Sequence, residues 1–197
     1  MRATVAPADP VRVPSRAVSM AGTLVLVALG CAALVLRTRL AVLPPPDRVV
    51  ALAAVFGAIL AASLLVPAAP GRRRLHPGVV LIIGLLGLAG AALAAGHPVP
   101  IPFGPWAIPL SLLAAVAEEA LFRRAAYGAL EPAGAVVAIG VTSLLFALIH
   151  VPLYGVAAFP VDLGAGLLFG WQRWASGTWT TSAGTHAAAN LLAVIAR

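Results

Sequence analysis

Five side chains in this sequence have the types and spacing for acid–base chemistry: Glu118, Glu119, His150, His186 and Asn190. Each lies in a run of Ala, Leu and Val from which charge is otherwise almost absent. An ionisable group in such surroundings is costly and marks a functional site by default. Successive helical residues are about 100° apart, so residues four apart share a face. Glu119 and Arg123 are four apart and are expected to form an ion pair within one helix, which lowers the cost of burying both. Glu118 lies about a quarter turn away, outside that pair, and is expected to face a cavity as a general base or acid. Arg124 is expected to snorkel to an interface.

The partners come later in the chain. His150 follows Phe146 by four positions, and the nearby Pro152 leaves backbone groups free, a useful feature at a wet cavity. His186 and Asn190 are four apart on the last apolar run and offer two neutral donors on one face. Such donors suit an oxyanion that develops when water attacks a carbonyl. An acid, a histidine and a His/Asn pair on three helices are what hydrolysis of an amide in a membrane-buried cavity needs. In that scheme Glu118 takes a proton from water with the help of His150. His186 and Asn190 then stabilise the tetrahedral oxyanion, and the Glu119–Arg123 pair holds its helix in position. His76 and His97 stand beside prolines in loops and are read as incidental.

These side chains need a scaffold, and the composition says which kind. Of 197 residues, 61% are hydrophobic and only 10% charged, and the mean hydropathy is +1.02. Soluble domains carry about 25% charged residues, so the chain reads as a polytopic membrane protein forming one bundle. All 13 basic residues are Arg. With so much Ala, Gly and Pro, the net charge of +7 reflects compositional bias and loop charge rather than nucleic-acid binding. The expected setting is a bacterial plasma membrane. The single cysteine, Cys31, excludes an internal disulfide and a cysteine metal cluster.

The fold expected is all-α, a transmembrane bundle of about seven helices with the active-site cavity inside the membrane. Residues 1–16 read as a flexible tail. Spans are expected over 17–36, 49–66 and 78–95. The proline-rich stretch 97–109 reads as a loop or shallow re-entrant segment. A helix over 109–127, ended by Gly128, carries the acidic pair. The next runs from Glu131 to His150 and is closed by Pro152, and the last two cover 161–174 and 180–195. Residues 166–170 carry a GxxxG packing pattern. The Arg72–Arg74 run is expected to lie on the cytoplasmic side. Arg37 and Arg39, taken as the charges that end the first span, then fall on the opposite side.

The polar residues also fall into known motifs. Glu118-Glu119-Ala120-Leu121-Phe122-Arg123 resembles the EExxxR motif of the CAAX-protease and bacteriocin-processing family of intramembrane proteases. Phe146-Ala147-Leu148-Ile149-His150 resembles its FxxxH motif, and His186-Ala187-Ala188-Ala189-Asn190 its HxxxN motif. The resemblance covers residues 103–197 as a core, with residues 17–102 as a variable part. It implies Glu118 and His150 as the water-activating pair and His186 with Asn190 as the oxyanion stabilisers. Glu119, Arg123 and Phe146 are implied as supporting residues. Arg124 departs from the pattern, because many members have Gly there.

The reading is an intramembrane endopeptidase similar to CAAX prenyl protease 2, acting on a membrane protein or peptide within the lipid bilayer, without nucleic acid. No cofactor is expected. Were the enzyme metal-dependent, zinc would take Glu118, His150 and His186, although no HExxH pairing is present. The alternatives are a proton-coupled membrane transporter, which would show internal repeats, and a non-catalytic scaffold or immunity protein that keeps the fold. No repeat is found, and the His/Asn pair has no role in a proton relay.

Overall fold

The structure is a computed structural model that describes residues 19–44, 46–69, 71–95 and 104–195. The tail expected over 1–16 and most of the proline-rich stretch lie outside the described residues. Every regular element among the described residues is helical. Helix α1 is Met20–Leu40, α2 is Asp47–Leu65 and α3 is Pro77–Ala95. Helix α4, Ala107–Glu119, passes without a break into a π-helical segment, Ala120–Ala126, and then into α5, Tyr127–Leu130. Helices α6 (Ala135–Tyr154), α7 (Phe159–Ser176) and α8 (Trp179–Ile195) complete the described chain. Because α4, the π segment and α5 form one rod, the described residues make seven continuous helices.

Four helical stretches are long and apolar enough to cross a membrane: Met20–Leu40, Asp47–Leu65, Gly104–Ala133 and Ala135–Tyr154. This makes the chain an integral membrane protein. Helix α7 falls short of that standard because it carries Asp162, Gln172 and Arg173, and α8, which carries His186 and Asn190, is also shorter at 17 residues.

Two expected boundaries move. Gly128 does not end its helix, which runs on to Leu130. Pro152 does not close α6 either, since it sits in the last turn and the helix continues to Tyr154. The breaks fall instead at Gly134 (φ 104°) and Gly155 (φ 82°), backbone conformations that only glycine adopts without strain.

The packing is set by small residues and a few buried polar groups. A Cβ on Gly166 would lie 3.0 Å from Cα of Ser143, so α7 and α6 approach at backbone distance. Gly170, one GxxxG step on, lies against Ile139. With lipid as the alternative solvent, such close contact and interhelical hydrogen bonds drive association. The fully buried Gln172 Nε2 supplies two of those bonds, donating to the Val80 carbonyl at 3.0 Å and to Thr185 Oγ1 at 2.8 Å. One amide thus ties α7 to α3 and α8.

Two further arginines, Arg124 and Arg74, are tethered rather than free. Arg124 does not snorkel: its Nε and Nη2 donate to the carbonyls of Ser63, Leu64 and Val66. Those are C-terminal carbonyls of α2, which lack helical partners. Arg74 is docked on the end of α7, donating to the Trp174 carbonyl at 2.9 Å with its guanidinium 4.4 Å from the Trp174 ring. The Arg74 and Leu75 N–H groups both donate to the Ala175 carbonyl.

Candidate active site

Glu118 and Glu119 occupy the last two residues of α4, and the π-helical segment begins immediately after them. A π turn is wider than an α turn and occurs mostly where function requires it. The expected ion pair of Glu119 with Arg123 forms across this junction. The two are in ionic contact at 3.6 Å from Oε2 to Nε, without a hydrogen bond. Arg123, fully buried, donates Nη2 instead to the Gly166 carbonyl at 3.0 Å, and so holds the rod against α7. Its own carbonyl accepts from Nε of Arg173 at 3.2 Å.

Glu118 is not the unpartnered carboxylate that its sequence position suggests. Nη1 of Arg37, from the last turn of α1, donates to its Oε1. The other carboxylate oxygen, Oε2, lies 3.6 Å from Nε2 of His150. Both ends of this contact are buried, with Glu118 2% and His150 6% exposed. Nδ1 of His150 lies 2.7 Å from the Phe146 carbonyl oxygen. A carbonyl only accepts, so Nδ1 carries its hydrogen and Nε2 is the nitrogen turned to the carboxylate.

His186 sits in the same interior but faces the other acid. Its Nδ1 lies 3.3 Å from Oε1 of Glu119. With Glu119 ionised, the Nδ1 hydrogen is engaged there. His186 is therefore not a freely available neutral donor. Asn190, one turn further along α8, donates from Nδ2 to the Ser111 carbonyl at 3.0 Å. This joins α8 to α4 and leaves its second amide hydrogen free of that bond.

Phe146 is the common wall. Its ring centroid is 4.6 Å from that of His150 and 5.6 Å from that of His186. Phe122 and Phe169 meet it edge-on at 5.7 Å and 6.0 Å. The Arg123 guanidinium stands 5.6 Å from its centroid. Phe169 also stacks on His186 at 5.0 Å, and Tyr154 stacks on His150 at 5.8 Å.

The structure therefore places Glu118, Glu119, Arg123, Phe146, His150 and His186 together, whereas Asn190 bonds to Ser111, one turn beyond His186 on α8. Sequence reasoning missed Arg37, Tyr154, Asp162 and Phe169. Asp162, on the first turn of α7, lies within electrostatic reach of His150 and has a buried Oδ2 without a hydrogen bond. Arg37 had a signal: Thr23, Val27, Gly30, Leu34 and Arg37 form one buried stripe at spacings of three and four. It is thus a core residue of α1 and not a charge of the following loop.

The three residues named for zinc are engaged by separate partners. Glu118 is engaged by a guanidinium and His150, whereas His186 turns to Glu119. Among the described residues no three His, Cys, Asp or Glu side chains gather into a metal-holding set. A separate cavity of about 110 Å³ lies against Arg124 and Arg173. It is lined by neither of the glutamates nor either of the site histidines.

The chain matches one family, whose model is described as type II CAAX prenyl endopeptidase Rce1-like, over residues 100–192. All three motifs lie within that stretch, and Arg37 lies outside it. No curated protein and no solved structure matches the chain. Residues 100–192, with the two glutamates and both site histidines inside them, are similar to the Rce1-like family of type II CAAX prenyl endopeptidases.

Proposed function

We propose that this protein is an intramembrane endopeptidase in which Glu118 and His150 activate water against a peptide bond of a membrane-associated substrate. The observation that carries the reading is the buried approach of His150 Nε2 to Glu118 Oε2, at 3.6 Å, between two different helices. Fixing the Nδ1 hydrogen on the Phe146 carbonyl leaves Nε2 ready to take up a proton. A water held by Glu118 Oε2 and His150 Nε2 loses a proton to this pair as its oxygen bonds to the scissile carbonyl carbon. The carbonyl electrons move onto oxygen. Collapse of the intermediate breaks the C–N bond, and the stored proton passes to the departing amine. Water supplies both the oxygen and the hydrogens, so no other reactant is consumed.

The oxyanion is met by Asn190 and His186. Because Glu119 engages Nδ1 of His186, Nε2 can donate to an oxyanion when the imidazole is protonated, and the Glu119 carboxylate is the counter-charge for that cation. Glu119 thereby supports His186 as well as Arg123. Catalysis is metal-free in this scheme.

The test is a comparison of membrane peptidomes from cells producing the wild type, Glu118→Ala or His150→Ala at matched levels. At least one membrane peptide is expected to be cut only in the wild-type cells. If every cut made by the wild type is also made by both variants, the proposal fails.

A further inference from the structure

We infer that Arg37, contributed by a helix outside the family-matched stretch, is the positioning residue for the Glu118 carboxylate. The inference rests on the reading of Glu118 given above, but the geometry behind it does not. The guanidinium reaches Glu118 from α1, 81 residues earlier in the chain. The Arg37 and Glu118 side chains are 7% and 3% exposed. Arg37 takes one carboxylate oxygen and leaves the other to His150. The carboxylate thus has a partner at each oxygen, and Oε2 is the one beside His150.

Charge points the same way. The acidic pair puts two negative charges into an apolar interior, and Arg123 supplies only one positive charge. Arg37 supplies the second. An arginine is suited to this place because it stays charged and its planar fork fixes the orientation of a carboxylate, whereas a lysine offers a point charge. Each glutamate then has a guanidinium beside it, so the acidic pair is tolerable inside a bundle where a lone ion is not. A proton gained by the Glu118–His150 pair during attack is then balanced by the oxyanion formed with it.

The α1 backbone is built to bring Arg37 there. Gly30, two turns earlier on the same buried stripe, lies directly against the Leu121 side chain of the π segment. A Cβ at position 30 would stand 2.8 Å from the Leu121 methyl carbons, so the Leu121 side chain would have to shift. The region outside the matched stretch is therefore part of the site.

Two measurements test this, one of which needs no substrate. The first is a melting-temperature cycle of the purified full chain in detergent, using wild type, Arg37→Gln, Glu118→Gln and the double variant. Each single change leaves one buried charge unpaired, so both should melt well below wild type. The double variant should melt above at least one of the singles. Losses that simply add in the double variant would overturn the pairing. The second is cleavage kinetics on the peptide identified from wild-type membranes. Arg37→Gln should lower kcat about 100-fold, the loss that follows misplacement of a reacting group, with KM little changed. Arg37→Lys should recover part of kcat. Wild-type kcat in Arg37→Gln would overturn the positioning role. If instead Glu118→Gln cleaves normally while the melting cycle shows coupling, the reading of the active site fails and the ion pair stands.

Discussion

Replacing Phe146 by Ala tests whether one ring organises both histidines. Phe146 is 2% exposed and touches four rings: Phe122, His150, Phe169 and His186. Truncating a buried Phe costs about 3–5 kcal/mol in soluble proteins, through lost transfer energy and the cavity left behind. In a bilayer the transfer part shrinks, because lipid is as apolar as the interior. The packing part stays, since edge-on ring pairs are worth about 0.5–1.5 kcal/mol each, and three such contacts disappear. A destabilisation of about 3 kcal/mol follows. It would be read from unfolding in mixed micelles of rising denaturing-detergent fraction, followed by circular dichroism. Phe146→Leu fills most of the volume without a ring edge. It should therefore recover most of the stability but little of the activity. A loss below about 1 kcal/mol for Phe146→Ala, the scale of an average point substitution, would refute the central role of the ring. Full activity in Phe146→Leu would show that the imidazoles are oriented by other contacts.

Two further outcomes concern particular contacts. Gly166→Val places branched carbons where Cα of Ser143 already stands 3.0 Å from a Cβ position. It should cost about 1–3 kcal/mol through overpacking, measured by the same unfolding titration. Asn190→Ala removes the amide that bonds the Ser111 carbonyl and the proposed oxyanion donor. It should lower kcat by about 100- to 1,000-fold while the protein still elutes as a folded species in size-exclusion chromatography.

The parts of the site that the sequence made legible are those carried by short-range spacing. Phe146 and His150 share a face because they are four apart in a regular helix, and the 2.7 Å bond from Nδ1 to the Phe146 carbonyl follows from that register. The helical bundle was legible in the apolar runs, and the close approach of α6 and α7 in the 166–170 glycines. Three features were hidden. The π-helical segment after Glu119 alters the angles on which the Glu119–Arg123 pairing was reasoned, and no residue type announces it. Arg124 finds backbone carbonyls at the end of α2, acceptors that have no identity in a sequence. Arg37 was assigned to a loop because charge at the end of an apolar run usually belongs there. Only its phase with Thr23, Val27, Gly30 and Leu34 shows that it points inward. With Arg37 outside the core, Glu118 looks unpaired. Once Arg37 is counted as a core residue, Arg39 is the remaining basic residue of the α1 end.

The central claim is that Glu118 and His150 together activate the water that cuts the substrate. The most direct measurement is cleavage of the peptide found in wild-type membranes by purified protein in sealed liposomes, comparing wild type, Glu118→Gln and His150→Ala. Cleavage is expected from the wild type and none from either variant, each remaining folded and inserted. Cleavage by either variant at the wild-type rate would contradict it.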